Sequence, residues 1–328
     1  MNSVFPSTPL DRPLRIAFFG TPQFAATCLD AIFAGPHEVV AVITAPDKKA
    51  GRGQRLQASQ VKATAQRLEL PLLQPLNLKA PEFIETFRSL DCDLAIVVAF
   101  RMLPEAVWNS PRYGSVNLHA SLLPQLRGAA PIQWAIRNGL TETGVTTFSL
   151  RQAIDTGDIL MQQKVDITST ETAKTLHDKL LQEGVKLIAK TIDALAQGQL
   201  TPVPQAEMVS KENLLSAPKL TRENSRINWS QSTENVINMI RSLNPHPTSW
   251  CPTPLGDFKV VNVESAFIDG ELPSPGTASI DKGKLYVSCL NGWVELKEII
   301  PNGKRAMRAS DWINGLQADR RSALGIWS

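Results

Sequence analysis

Short apolar runs alternate with segments of helical apolar spacing through the first two thirds of this sequence, and no other feature limits its possible folds as strongly. Leu14 to Gly20, Val39 to Thr44 and Leu94 to Phe100 are almost continuously apolar, which is typical of strands buried on both faces. Phe24 to Phe33 and Val61 to Leu68 carry apolar residues at helical spacing. Strands joined by helical crossovers form a mainly parallel sheet with helices on both faces. We therefore predict an α/β fold with a Rossmann-like sheet.

The alternation continues to about residue 196, and we assign residues 1–207 to this N-terminal domain. Its remaining predicted elements are a helix at Pro81–Leu90, a strand at Ser115–His119, a helix at Pro131–Asn138, strands at Gly144–Leu150 and Ile159–Val165, and a long helix at Ala173–Ala196.

The pattern changes around residues 198–218, where Pro and Ser are frequent and periodicity is weak, as in a linker. A helix is predicted at Ser232–Leu243. Short apolar segments separated by Gly, Asn and Pro then follow, at Phe258–Val263, Thr277–Ile280, Lys284–Cys289 and Trp293–Ile299. This pattern favours a small, OB-like β-barrel, and we assign residues 208–328 to a smaller C-terminal domain.

Composition narrows the class of protein. With 328 residues, 43% of them hydrophobic, the chain is long enough for two globular domains. Its apolar runs are too short to cross a bilayer, and the first thirteen residues lack the apolar region of a signal peptide, so we expect a cytoplasmic protein with no membrane partner. Four scattered cysteines without metal-ligand spacing predict reduced, buried thiols and no metal. A net charge of +3 permits an anionic partner without requiring one.

Two polar residues mark the end of a predicted strand in the segment NLHASLLPQLRGAAPIQ. Asn117 and His119 are two positions apart, so their side chains share one face of that strand, at the carboxyl end where ligands bind in open parallel sheets. An imidazole and an amide that converge there can move a proton and stabilise an oxyanion during acyl transfer. The alternative is a His119 satisfied by a neighbouring backbone carbonyl and an Asn117 in a turn.

A carboxylate precedes a turn in the segment IDTGDIL. Asp155 comes before Thr-Gly and a buried strand, so it can reach the same crevice and orient His119 in its charged form. The alternative is an Asp155 that only shapes its own turn through its side chain.

Taken together, the NxH segment and the DTGD segment resemble the signature of the folate-dependent formyltransferases. FFGTPQFA (18–25), the loop at 44–62, APKLTRENSRINW (217–229) and SLNPHPTSW (242–250) extend the resemblance from about residue 14 to residue 312. The resemblance implies that Asn117, His119 and Asp155 are catalytic. It also implies that the folate pocket is formed by Ser121, Leu122, Leu123 and Pro124, with Val98, Phe100 and Arg101 in its wall. The family's AYGxILP reads AFRMLP here, and the usual acidic-Gly-Leu before DTGD is replaced by RQAI.

The resemblance further implies the reaction. 10-Formyltetrahydrofolate, the co-substrate, donates its formyl group to the α-amine of methionine carried by initiator tRNA, and no metal takes part. The enzyme is expected to be a monomer. An amino sugar nucleotide is the alternative acceptor. A dinucleotide-dependent oxidoreductase is a weaker alternative, because the turn after the first strand lacks GxGxxG.

Two basic clusters favour tRNA as the acceptor. The first is in the Gly-containing loop after the second predicted strand, and the second is near the C-terminus; together they comprise Lys48, Lys49, Arg52, Arg55, Lys62, Lys304 and Arg305. Lysine and arginine on flexible segments are suited to phosphate contacts. The alternative is that the loop is simply a solvated one.

Overall fold

The computed structural model describes residues 5–50, 55–208, 214–317 and 324–328, except for the side chains of residues 49, 50 and 55. The helices are α1 (Gln23–Phe33), α2 (Gln60–Arg67), α3 (Pro81–Ser89), α4 (Glu105–Trp108), α5 (Pro131–Arg137), α6 (Ala173–Ala196), α7 (Thr233–Ser242) and α8 (Ala309–Asn314). Single 3₁₀ turns lie at Gln205–Glu207 and Glu223–Ser225.

The strands of the N-terminal half are β1 (Arg15–Gly20), β2 (Glu38–Ile43), β3 (Lys48–Ala50), β4 (Arg55–Gln57), β5 (Leu72–Leu73), β6 (Leu94–Val98), β7 (Ser115–His119), β8 (Arg127–Gly128), β9 (Glu142–Ser149) and β10 (Ile159–Asp166). Those of the C-terminal half are β11 (Ser216–Ala217), β12 (Ser249–Thr253), β13 (Gly256–Ala266), β14 (Ala278–Asp281), β15 (Lys284–Cys289), β16 (Gly292–Ile300) and β17 (Met307–Arg308).

The large sheet has seven strands in the order β10-β9-β7-β6-β1-β2-β5. The pairs β1–β2, β1–β6, β6–β7 and β2–β5 are parallel, whereas β9 runs antiparallel to β7. The predicted mainly parallel, Rossmann-like sheet is therefore confirmed. Its antiparallel edge matters for the site, because the middle of β9, at Thr146, lies beside the carboxyl end of β7.

Burial explains why the central strands read as apolar runs. β6 is buried at all five positions, and β1 at every position after Arg15. Phe19 meets Phe87 edge to face, with ring centroids 5.3 Å apart. At the end of β1, a Cβ on Gly20 would lie 2.5 Å from the Ala25 Cβ, so only glycine lets α1 follow the strand this closely.

The chain forms two compact units that interleave along the sequence. The first comprises residues 1–127, 144–165 and 179–215, and the second comprises residues 128–143, 166–178 and 216–328. The domain boundary at residue 207 stays a prediction.

The second unit contains an antiparallel sheet in the order β12-β13-β16-β15-β14, with β17 paired to β16. Its core includes Trp229, Phe258 and Trp327, and the ring centroids of the last two are 5.2 Å apart. The β-rich C-terminal domain is confirmed, and its OB-like barrel remains a prediction.

Two predictions from composition can be compared with the structure. All four cysteines are buried and unpaired, as predicted, and burial raises the pKa of the Cys28 thiol to about 12. Among the described residues, no helix is both long enough and apolar enough to span a membrane.

Candidate active site

Asn117 and His119 lie on the same face of β7, as the alternation of strand side chains predicts. Asn117 pairs with Val97 on β6 and with Phe148 on β9, and His119 pairs with Thr146. Asn117 is partly exposed, whereas His119 is only 7% exposed. One side of the strand end therefore presents an amide to solvent beside a nearly buried imidazole.

The His119 ring lies between a carbonyl and a carboxylate. Its Nε2 is 3.0 Å from the Leu126 carbonyl oxygen, and its Nδ1 is 3.9 Å from Oδ2 of Asp155. A carbonyl only accepts hydrogen bonds, so this geometry assigns a hydrogen to Nε2. Nδ1, the other ring nitrogen, faces the carboxylate at a distance beyond a direct hydrogen bond.

Asp155 stands in a tight turn between β9 and β10 with a left-handed φ of +52°. Gly157 allows the turn to pack against β9, because a Cβ there would lie 1.5 Å from the Ser149 carbonyl oxygen. Ser149 also donates its N–H to the Asp158 carbonyl at 3.0 Å. Gly157 is therefore required by the approach of the turn to the strand, and the turn brings the Asp155 carboxylate to 3.9 Å from the His119 ring.

Sequence reasoning missed one residue of this site. Gln205 lies in the segment predicted as a linker, yet it is only 4% exposed, and its amide bonds to the main chain of the Asp155 turn and to Arg127. No periodicity marks the segment around it, and its partners are 48 to 78 positions away, so no local pattern could have identified it.

The segment from Ser121 to Pro124, assigned to folate by resemblance, is tightly folded. Ser121 is fully buried and donates its hydroxyl to the Gln125 carbonyl at 2.6 Å. Thr146 joins it to β9 by donating to the Ser121 carbonyl at 2.7 Å and accepting from the Leu123 N–H at 3.1 Å. Leu122 is partly exposed, whereas Leu123 and Pro124 are buried.

The residues after β6 explain how AFRMLP is accommodated. Phe100 packs edge-on against Phe19, with ring centroids 5.6 Å apart. The Arg101 guanidinium lies over the Phe100 ring at 5.6 Å and donates to the carbonyls of Pro75 and Leu76. Arg101 is therefore held by the 75–76 segment, and partial burial lowers its pKa.

Main-chain donors and apolar side chains near this segment are not used within the described part of the chain. Within the described part of the chain, the backbone N–H groups of Phe100 and Met102 have no hydrogen-bond partner. The Met102 side chain is 70% exposed, and Ile154 in the turn before Asp155 is 59% exposed.

The predicted tRNA-binding cations have different environments. Lys48 is exposed, but Nζ of Lys62 lies 2.6 Å from Oδ2 of Asp47. Arg52 and the side chains of Lys49 and Arg55 lie outside the described residues. Lys304 and Arg305 are exposed between β16 and β17 and form no ion pair with any residue that the structure describes. In the same described ranges, no cluster of His, Cys, Asp and Glu could hold a metal ion.

Comparisons with known proteins match almost the whole chain. Residues 14–192 match the family model described as formyl transferase, and residues 219–317 match the formyl transferase C-terminal domain. A methionyl-tRNA formyltransferase from Bacteroides fragilis is 45% identical over 310 residues, which cover 92% of this chain and 95% of the relative.

Two solved structures resemble this fold. The N-formyltransferase from Helicobacter canadensis, in complex with folinic acid and dTDP-3-aminofucose, has a TM-score of 0.62 and 18% identity, over 86% of this chain and 98% of its own. HypX from Aquifex aeolicus, in complex with tetrahydrofolic acid, has a TM-score of 0.61 and 16% identity, over 92% of this chain and 47% of its own. At these identities the likeness is one of fold.

Proposed function

The chain belongs to the formyl transferase family, and on that premise we propose that it formylates methionyl initiator tRNA, with 10-formyltetrahydrofolate as the co-substrate. The product is N-formylmethionyl-tRNA, which is used in translation initiation. The observation that carries this proposal is the near full-length relationship to a methionyl-tRNA formyltransferase at 45% identity, which extends through both domains.

Asn117 and His119 are proposed to bind the formyl oxygen. When the amine attacks the formyl carbon, that oxygen gains negative charge, and preorganised donors aimed at it lower the barrier. The partly exposed amide of Asn117 supplies one N–H. The His119 imidazolium supplies a second donor, once its Nε2 hydrogen turns from the Leu126 carbonyl to the oxyanion.

Asp155 is proposed to keep His119 charged and to accept the proton of the attacking amine. Its Oδ2 lies 3.9 Å from Nδ1 of His119, so the charge of the imidazolium is balanced within the site. The methionine nitrogen forms a bond to the formyl carbon and loses a proton. The bond from that carbon to the folate nitrogen breaks, and this nitrogen takes up a proton.

The folate pocket is proposed to comprise Ser121 to Pro124 and the wall from Val98 to Arg101. Bound there, 10-formyltetrahydrofolate supplies the activated formyl group. The hydroxyl of Ser121 is already used within the protein, so its segment contacts the ring through main-chain groups and the partly exposed Leu122. The N–H groups of Phe100 and Met102, which have no partner among the described residues, are proposed as further donors to the ring.

The acceptor tRNA is proposed to bind through phosphate contacts, with Lys48, Lys49, Arg52, Arg55, Lys62, Lys304 and Arg305 as the contributing cations. Lys62 reaches phosphate only if it exchanges its contact with Asp47. We place the enzyme in the cytoplasm as a monomer. Four unpaired, buried thiols support a reducing compartment.

A competition between acceptors tests the proposal. The purified chain is incubated with 10-formyltetrahydrofolate and either methionyl initiator tRNA or a nucleotide-linked amino sugar, and formyl incorporation is measured. We expect turnover with the charged tRNA and none above background with the amino sugar nucleotide. Turnover with the sugar alone would replace this acceptor with the alternative one, and uncharged tRNA serves as the control for the free amine.

A further inference from the structure

The connector between the two matched regions of the chain enters the catalytic site. Its described parts are residues 193–208 and 214–218. Gln205 is 4% exposed, although Pro204 and Ala206 on either side of it are exposed. A buried amide must be hydrogen-bonded within the protein, and its partners therefore show what it does.

The Gln205 side chain forms four hydrogen bonds, two to the Asp155 turn and two to Arg127. Its Nε2 donates to the Asp155 carbonyl at 3.0 Å and to the Gly157 carbonyl at 2.7 Å. Its Oε1 accepts from Arg127, at 3.0 Å from Nε and at 2.6 Å from Nη2. Carbonyls on one side and a guanidinium on the other allow only this orientation of the amide.

These bonds hold Asp155 in the backbone conformation that aims its carboxylate. A non-glycine residue at a φ of +52° is strained and persists only where its surroundings fix it. The Asp155 carbonyl is tied to Gln205, and the carbonyl two residues later is tied to the same nitrogen. The turn therefore cannot rotate without breaking bonds to a buried amide.

The connector also holds the opposite side of the imidazole. Leu126, whose carbonyl oxygen lies 3.0 Å from Nε2 of His119, donates its N–H to the Leu215 carbonyl at 2.8 Å. The Leu215 N–H in turn donates to Oε1 of Gln125 at 2.9 Å. Residues on both sides of the His119 ring are thus hydrogen-bonded to one connecting segment.

We infer that Gln205 is a positioning residue for the His119–Asp155 pair, and that the connector is part of the active site rather than a tether. This inference rests on the proposed function, since formyl transfer is its readout. Gln205 touches no reacting atom. It acts by fixing the Asp155 turn, and its loss changes the alignment of the pair rather than the binding of either substrate.

The first test separates turnover from binding. In Gln205→Ala we expect kcat to fall about 10-fold or more, because small misplacements of catalytic groups are costly, while KM for each substrate changes by less than about threefold. Gln205→Glu keeps an acceptor for Arg127 but loses both donors, so we expect a similar fall. Gln199→Ala is the matched control, because Gln199 is exposed on the same connector. Unchanged kcat in both Gln205 variants would overturn the inference.

A double-mutant cycle excludes a purely structural role. If Gln205 acts through Asp155, then Gln205→Ala in an Asp155→Asn background lowers single-turnover formyl transfer by less than about twofold. If the double variant instead loses activity by the product of the two single-variant losses, Gln205 acts independently of Asp155, and the inference is overturned. Thermal unfolding shows whether each variant is folded. If Gln205→Ala does not fold, Gln205→Glu replaces it in the double-mutant cycle. Loss of folding in both would reassign Gln205 to stability. Wild-type turnover with charged tRNA decides the proposed function separately.

Discussion

At the scale of single residues, the environment of His119 shows what its proposed role as a hydrogen-bond donor to the oxyanion requires. Its Nε2 lies 3.0 Å from the Leu126 carbonyl oxygen, and its Nδ1 faces a carboxylate. If the ring binds the formyl oxygen as proposed, that oxygen must replace the Leu126 carbonyl as the partner of Nε2. The ring therefore has to exchange one partner before it can stabilise negative charge on the formyl oxygen, whereas its contact with Asp155 can stay in place.

The first prediction concerns the two oxyanion donors. Asn117→Ala and His119→Ala should each lower kcat by on the order of 100-fold or more, as the loss of one such donor does. Steady-state formyl transfer to charged initiator tRNA measures the effect, and thermal unfolding confirms that each variant is folded. Asn138→Ala, at an exposed helix end, is the matched control for the first variant. Near wild-type turnover in both site variants would remove these assignments.

At the scale of elements, periodicity alone located the elements that carry the chemistry. The predicted strand Ser115–His119 and helix Ala173–Ala196 agree with β7 and α6 at both ends. The predicted strand Leu94–Phe100 extends two residues past β6, because Ala99 turns to a φ of +47° and ends it. Long apolar runs and clear periodicity therefore predict strands and helices reliably. They do not show where an apolar residue such as Ala99 changes its backbone conformation and ends a strand.

What sequence reasoning missed depends on short length or on distant contacts. β5 has two residues and α4 has four, too few for any period to show. The meeting of His119 with Asp155 could be anticipated, because both follow from strand ends and a turn. The burial of Gln205 could not, since it requires the sheet, the Asp155 turn and Arg127 to be assembled first.

The second prediction concerns the segment that leads into β1. Arg12 donates two hydrogen bonds of 2.7 Å to Asp93, which lies just before β6 and also accepts the Arg15 N–H at 2.9 Å. Burial alone would raise the pKa of the Asp93 carboxyl, but these bonds outweigh it and hold that pKa below its ordinary value of 3.8. The stabilisation is therefore complete above pH 3.8 and is lost as the pH falls through the lower folded-state value.

Arg12→Ala should accordingly lower the urea midpoint of unfolding at neutral pH, and the difference from wild type should shrink as the pH falls below 3.8. Equilibrium unfolding followed by tryptophan fluorescence at several pH values measures it. Arg88→Ala is the control, because Arg88 is exposed and has no ion pair among the described residues. A difference that persists undiminished in acid would mean that the Asp93 carboxylate is not the partner that matters.

At the scale of the whole molecule, basic residues are grouped in the two predicted clusters, but the net charge is only +3. The chain carries 34 basic and 31 acidic side chains, so overall charge alone cannot draw a polyanion. Many cations are neutralised locally, as Lys62 is by Asp47. Lys304 and Arg305 are exposed and have no ion pair among the described residues, so they are the clearest candidates for phosphate contacts. Binding of tRNA should then depend on a few local contacts rather than on a general field.

The third prediction concerns the salt dependence of tRNA binding. Each phosphate contact releases counterions, so the affinity for tRNA should fall steeply with salt, and each lost contact should reduce the slope of log K against log salt by about 1. Lys304→Ala with Arg305→Ala should therefore reduce that slope by about 2, and Lys49→Ala with Arg52→Ala by a similar amount. Lys190→Ala, an exposed lysine of α6 outside the predicted clusters, should leave it unchanged. Filter binding of charged tRNA across a salt series gives the slopes.

An affinity that stays flat from low to moderate salt would exclude phosphate contacts as its source, and binding would then have to depend on contacts to bases or to the aminoacyl end.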